Sequence, residues 1–122
     1  MMLATAKPHH KLEAWREAMA LVRTVYAITR GFPQEETYGL AMQLRRAAVS
    51  IPSNVAEGAG RDGDREFLRF LSIARGSLSE LETQLLIGAD LGYLSVDHRA
   101  FALLERVSRL ITGLHKKLAA RR

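Results

Sequence analysis

Apolar residues recur at steps of three and four along most of the chain. Leu12, Trp15, Met19, Val22 and Tyr26 form one such row, with Ala18, Leu21, Val25 and Ile28 beside it. The pattern predicts a helix with a broad apolar stripe, ended by Gly31-Phe32-Pro33. A second helix is expected to begin near Glu35, where Glu36 also suits the positive end of a helix dipole. Leu40, Leu44, Ala47, Ala48, Ile51 and Val55 follow on one face, and Gly58-Ala59-Gly60 supplies the stop. Pro52 falls inside this pattern and removes a hydrogen bond. Because the rhythm continues across it, one helix kinked at Pro52 is preferred to two helices.

Asp62 or Asp64 can cap a third helix whose core line is Phe67, Leu71, Ala74, Leu78, Leu81 and Leu85, with Gly88 and Gly92 beyond. Ser95 has the character of an N-cap for a fourth, with Asp97 in its first turn. That helix follows Ala100, Leu104, Val107, Ile111, Leu114 and Leu118 and ends among basic residues. The connections are a few residues long, so the expected architecture is all-α: an antiparallel up-down-up-down four-helix bundle.

The chain has 122 residues, 48% of them hydrophobic and 25% charged, as expected for one globular domain. Residues 1–10 are expected to form a flexible tail and 11–122 the bundle. Only 9 Gly and 3 Pro are few for an all-β fold. Cys is absent, which excludes disulfides and thiolate metal sites and suits a reducing compartment. No membrane span or signal peptide is visible, so the protein is expected to be soluble and cytoplasmic.

Little of the chain points to catalysis. Gly58-Ala59-Gly60-Arg61-Asp62-Gly63 spells G-x-G-x-x-G, but that motif needs a strand before it and a helix opening on phosphates. A glycine-rich turn between two helices is the better reading. His9 and His10 lie in the expected tail, His98 and His115 are far apart, and no Glu-x-x-His occurs. Ser50, Ser53, Ser77 and Ser79 have no His nearby in sequence. No cofactor and no metal are expected, and the protein is not expected to be an enzyme.

Charge changes the picture more. The net charge of +5 is concentrated in residues 1–30 and 95–122. Arg16, Arg23 and Arg30 repeat every seven residues on the first helix. Arg99, Arg106 and Lys117, with Arg109 and Lys116 beside them, line the fourth. If these helices are neighbours, the stripes merge into one positive surface, or they form an ordinary solvated face interrupted by Glu13, Glu17 and Glu105. No aromatic platform is evident among these charges, so any nucleic-acid contact would be to phosphates.

A polar line on the second helix, Gln43, Arg46, Ser50, Asn54, Glu57 and Arg61, borders its apolar face, and Arg75 and Glu82 sit similarly on the third. This is either a solvated flank or a partly buried network. In the network reading Arg46 or Arg75 pairs with Glu57 or Glu82, and Asn54 satisfies backbone freed by Pro52. The third helix also carries apolar residues beyond its core line: Phe70, Ile73 and Leu91 on one side, Leu68 and Leu86 on the other, and Ile87 nearly opposite. Such a circumference predicts self-association.

The segment Gly39-Leu40 through Gln43-Leu44-Arg45-Arg46-Ala47-Ala48-Val49-Ser50-Ile51-Pro52-Ser53-Asn54-Val55-Ala56-Glu57-Gly58 closely resembles the signature of the four-helix bundle proteins named after 23S rRNA intervening sequences. Phe67-Leu68-Arg69-Phe70-Leu71-Ser72-Ile73-Ala74-Arg75-Gly76-Ser77-Leu78-Ser79-Glu80-Leu81-Glu82-Thr83-Gln84-Leu85 is similar to its second block, and Leu12-Glu13-Ala14-Trp15 with Ala18 to its beginning. Ala14 and Arg16 depart from the family's Val and Gln around that Trp. The resemblance covers about Leu12 to Tyr93, leaving the fourth helix generic. It implies a bacterial all-helical protein assembled as a ring-shaped homopentamer, with no agreed catalytic activity. Related bundles are accessory proteins of diversity-generating retroelements, where a basic pentamer binds nucleic acid and a reverse transcriptase. Sharing Arg46, Asn54 and Glu57 with the family's block favours a structural role for the polar line. The expectation is a non-enzymatic oligomeric accessory protein binding RNA or DNA through phosphates. The alternative is a structural or protein-interaction homo-oligomer that binds neither.

Overall fold

In the computed structural model, which describes residues 6–121, the helical periodicity becomes four α-helices. They are α1 (Glu13–Arg30), α2 (Leu40–Ala59), α3 (Asp64–Asp90) and α4 (Arg99–Ala120), with short 3-10 turns at Pro8–Lys11 and Gln34–Glu36. No strand occurs among the described residues. Each helix packs on its neighbours in the chain, α1 also packs on α4, and α2 against α3 is the most extensive contact. This is a four-helix bundle. Gly58, late in α2, faces Phe67, early in α3, and Gly88, late in α3, lies beside Leu40, early in α2.

The core explains why the pattern folds. Leu21 and Val25 of α1, Leu44, Ile51 and Val55 of α2, Leu71, Leu81 and Leu85 of α3, and Val107 and Ile111 of α4 are fully buried. Burying each large aliphatic side chain contributes about 1.5–3 kcal/mol. On α1 the deep row is Ala14, Ala18, Leu21 and Val25, while Trp15 and Val22 pack part-buried against its edge. Thr24 and Thr29 are also buried, and their hydroxyls donate to the carbonyls of Ala20 (3.0 Å) and Val25 (2.8 Å). A hydroxyl satisfied within its own helix can sit in a core.

The helix boundaries depart from the expected ones. The second helix begins at Leu40, and Glu35 and Glu36 belong to the preceding 3-10 turn. Glu36 still serves the helix start, because one carboxylate oxygen accepts from the Leu40 N–H (3.0 Å) and the other from the Tyr93 hydroxyl (2.9 Å). Neither Asp62 nor Asp64 caps α3. Gly63, at φ 85°, holds the cap position, and Asp64 is in the first turn. The cap of α4 is His98, whose Nδ1 accepts from the Ala100 N–H at 3.0 Å. Ser95 instead accepts from the Asp97 N–H (3.1 Å), and both precede the helix. α2 runs as helix through the buried Pro52 to Ala59.

Residues 7–10, expected in a tail, are ordered against the bundle. Trp15 meets His9 and His10 with ring centroids 5.0 and 5.2 Å away. The part of the expected tail at residues 1–5 lies outside the described residues. No helix among the described residues is long and apolar enough to cross a membrane.

Candidate nucleic-acid interface

Packing α1 against α4 brings the two predicted basic stripes together, but their charges are not equally available. The Arg106 guanidinium, midway along α4, donates to the carboxylates of Glu17 and Glu13. The hydrogen bond to Glu17, followed by the charges of Glu13 and Glu17, raises its pKa above the ordinary arginine value. Arg109 lies 4.0 Å from Glu105 on its own helix. Arg16 donates to the His10 carbonyl (3.0 Å), which ties its side chain to the N-terminal turn. Arg23, Arg30, Arg99, Lys116 and Lys117 form no ion pair among the described residues. Of the two readings of the basic stripes, the pairings of Arg106 and Arg109 favour the one in which acids interrupt them. The Glu13–Glu17–Arg106 cluster interrupts them, leaving Arg23, Arg30 and Arg99 toward one end and Lys116 and Lys117 toward the other.

Arg23 and Arg99 line one cleft of about 430 Å³ between α1 and α4, with Ala20, Thr24 and Leu103. Arg23 also borders a second cleft of about 420 Å³, which it shares with Val22, Tyr26 and Arg30. Tyr26 in turn opens onto a third, of about 630 Å³, between α1 and α2, where Tyr38, Arg45 and Arg46 are found. Arg45 is oriented there by its Nε–H donation to Thr29 Oγ1 (2.8 Å) and by lying 4.5 Å over the Tyr26 ring. Outside the two basic stripes, cations and aromatic rings thus stand side by side at this end of the bundle. Tyr26, Tyr38 and Arg45 are not singled out by the sequence. Tyr26 reads as one more member of an apolar row, and Tyr38 and Arg45 lie outside the basic stripes.

The predicted polar network does not assemble within the chain. Glu57 pairs with Arg61 at 2.7 Å, and the two side chains are about half exposed. Arg46 faces the α1–α2 cleft, and Arg75 and Glu82 line a groove of about 420 Å³ between α3 and α4. Elsewhere along the line only Ser50 and Asn54 are linked among the described residues. The Asn54 amide donates to the Ser50 carbonyl (2.7 Å), and the Ser50 hydroxyl to that of Ala47 (2.7 Å). The carbonyl that Pro52 leaves without its helical donor belongs to Ala48, four residues back, so Asn54 does not serve it.

The other chemistry-bearing groups gain structural explanations. Burial first, then the neighbouring His10 and Lys7, lowers the His9 pKa below 6.5. His115 Nε2 lies 3.3 Å from Ser72 Oγ, a pairing the sequence did not signal. Both residues sit inside helices, whose interior backbone N–H groups are already used by the helix. Among the described residues no cluster of His, Cys, Asp and Glu could hold a metal ion. The G-x-G-x-x-G segment is the end of α2 and the turn into α3. Gly58 has a packing reason, since a Cβ there would lie 2.9 Å from Phe67 Cδ1 and Phe70 Cβ.

Fold and surface together define an all-α bundle whose distinguishing chemistry is charge placed on its outside. The family model described as 23S rRNA-intervening sequence protein matches residues 10–115, and the chain belongs to that family. The match extends far along α4, so the fourth helix is part of the family's domain and not a generic addition. No curated protein matches the chain.

Proposed function

We propose that the protein is a non-enzymatic, homo-oligomeric accessory protein of the bacterial cytoplasm that binds RNA through its phosphates. The observation carrying this reading is the cleft shared by Arg23 and Arg99, which no carboxylate lines. Two guanidinium groups facing one space repel each other, and a phosphate between them removes that repulsion while accepting charge-assisted hydrogen bonds. The first turn of α4, where Arg99 sits, adds the positive end of a helix dipole. The family's name couples it to 23S rRNA intervening sequences, which favours RNA as the nucleic acid. Exposed Ile73, Leu86 and Ile87 on α3, with Leu91 just after its end, support self-association, and a ring-shaped homopentamer is the assembly the family resemblance implies.

A salt-titrated binding assay tests the reading. Wild-type affinity for RNA is expected to fall log-linearly with salt concentration. Arg23→Gln with Arg99→Gln should weaken binding to unrelated sequences alike and flatten the slope by about 1.5, at roughly 0.7–0.9 per phosphate contact. No binding near physiological salt would leave a structural homo-oligomer as the function.

A further inference from the structure

The three clefts adjoin one another around α1. The α1–α4 cleft and the next share Arg23, and the second and third share Tyr26. Together they are lined by five arginines, Arg23, Arg30, Arg45, Arg46 and Arg99, and by no carboxylate. Two of the arginines come from α2, outside the two basic ends of the sequence. Two tyrosines interleave the cations. Tyr26 is held against the Arg45 guanidinium, and the Tyr38 ring stands 85% exposed at the far side.

From this arrangement we infer that the adjoining clefts, followed around α1 by way of Arg23 and Tyr26, form a track for single-stranded RNA. Its phosphates lie along the arginines, and a base stacks on Tyr38. The assignment rests on the RNA reading above and narrows it. A duplex keeps its bases paired and stacked inside, so an exposed ring beside a cationic groove has nothing to stack on. A single strand offers a π-face at every nucleotide. A ring left this open to water is costly for the protein and useful to a flat ligand. The Tyr26 ring beneath Arg45 and the Thr29 hydroxyl together hold that guanidinium pre-oriented for phosphate. Thr37, Ser50 and the two phenols supply hydroxyls along the α1–α2 cleft that can pair with ribose 2′-hydroxyls.

Fluorescence anisotropy with a labelled unstructured oligouridine, an RNA hairpin stem and a single-stranded oligodeoxythymidine separates the possibilities. Tyr38→Ala should weaken oligouridine binding about tenfold, leave its salt slope unchanged because no charge is removed, and leave hairpin binding unaffected. Arg46→Gln should weaken oligouridine binding and flatten its salt slope, whereas Arg65→Gln, on α3 away from the track, should do neither. Unchanged helicity of Tyr38→Ala by circular dichroism confirms that the fold is intact. RNA binding that is indifferent to Tyr38→Ala, or equally impaired for hairpin and single strand, overturns the track while leaving the phosphate reading standing. Failure of every RNA to bind overturns both. Oligodeoxythymidine bound as tightly as oligouridine overturns the assignment to RNA.

Discussion

At position 57 a carboxylate that borders the core stripe of α2 turns along the helix to Arg61 and stays half in water. An exposed pair one turn apart contributes about 0.3–0.5 kcal/mol, and solvent screens it further. Glu57→Ala is therefore expected to lower stability by no more than about 0.5 kcal/mol in urea melts. A loss above roughly 1 kcal/mol would mean that a buried partner had been left unpaired. The line of polar residues was legible from the helical period, because position on a helix is fixed by rotation. Its pairing was not, because a long side chain at the edge of a stripe can turn toward either neighbouring helix or along its own. The same limit applies to charge. Arg106 belongs to a visible basic row, yet its neutralising partners Glu13 and Glu17 lie on a helix at the other end of the sequence.

The helices themselves follow from periodicity because each contributes an uninterrupted row of buried apolar residues, as Leu44, Ile51 and Val55 do across Pro52. The termini were harder to place, since capping depends on which of several polar side chains the loop aims at the free N–H groups. The Ser95 hydroxyl accepts from the Asp97 N–H within the loop, and His98 takes the cap. Glu36 acts on α2 from outside it. Gly58 illustrates a signal whose position was plain and whose cause was hidden. It reads as a helix stop, yet it sits inside α2 where that helix comes closest to α3. Ala at this position gains roughly 1 kcal/mol of helix propensity. It must also displace the Phe70 Cβ, which moves only with its backbone. Overpacking of this kind costs about 1–3 kcal/mol, so Gly58→Ala is expected to be destabilising overall, whereas Gly76→Ala, with open space around it, should stabilise. A Gly58→Ala melting midpoint at or above that of wild type would show that the helices part without penalty.

At the scale of the whole molecule, the excess apolar surface of α3 is smaller than its sequence suggests. Phe70 is buried and Leu68 packs against the core, which leaves Ile73, Leu86, Ile87 and Leu91 between 42% and 55% exposed. Ile73 and Ile87 lie two heptads apart on one line, with Leu91 one turn further, so a neighbouring protomer meets a stripe and not a scattered set. The stripe is on α3, while the arginine-lined clefts run over α1, α2 and α4, so assembly through α3 leaves those clefts open. Light scattering of the wild type is expected to give a mass near five times 13.6 kDa. Ile73→Lys with Ile87→Lys should reduce it to that of a single chain while preserving helicity, because the intramolecular core does not use these side chains. The dissociated variant also isolates what assembly does for binding. Each protomer retains its arginines, so binding to a short oligonucleotide spanning one protomer should be unchanged. A long strand that reaches several protomers should lose the gain of about 10²–10⁴ that simultaneous engagement supplies. A wild type that scatters as a monomer across micromolar concentrations would remove the ring. Equal affinity of both proteins for the long strand would show that each protomer binds alone.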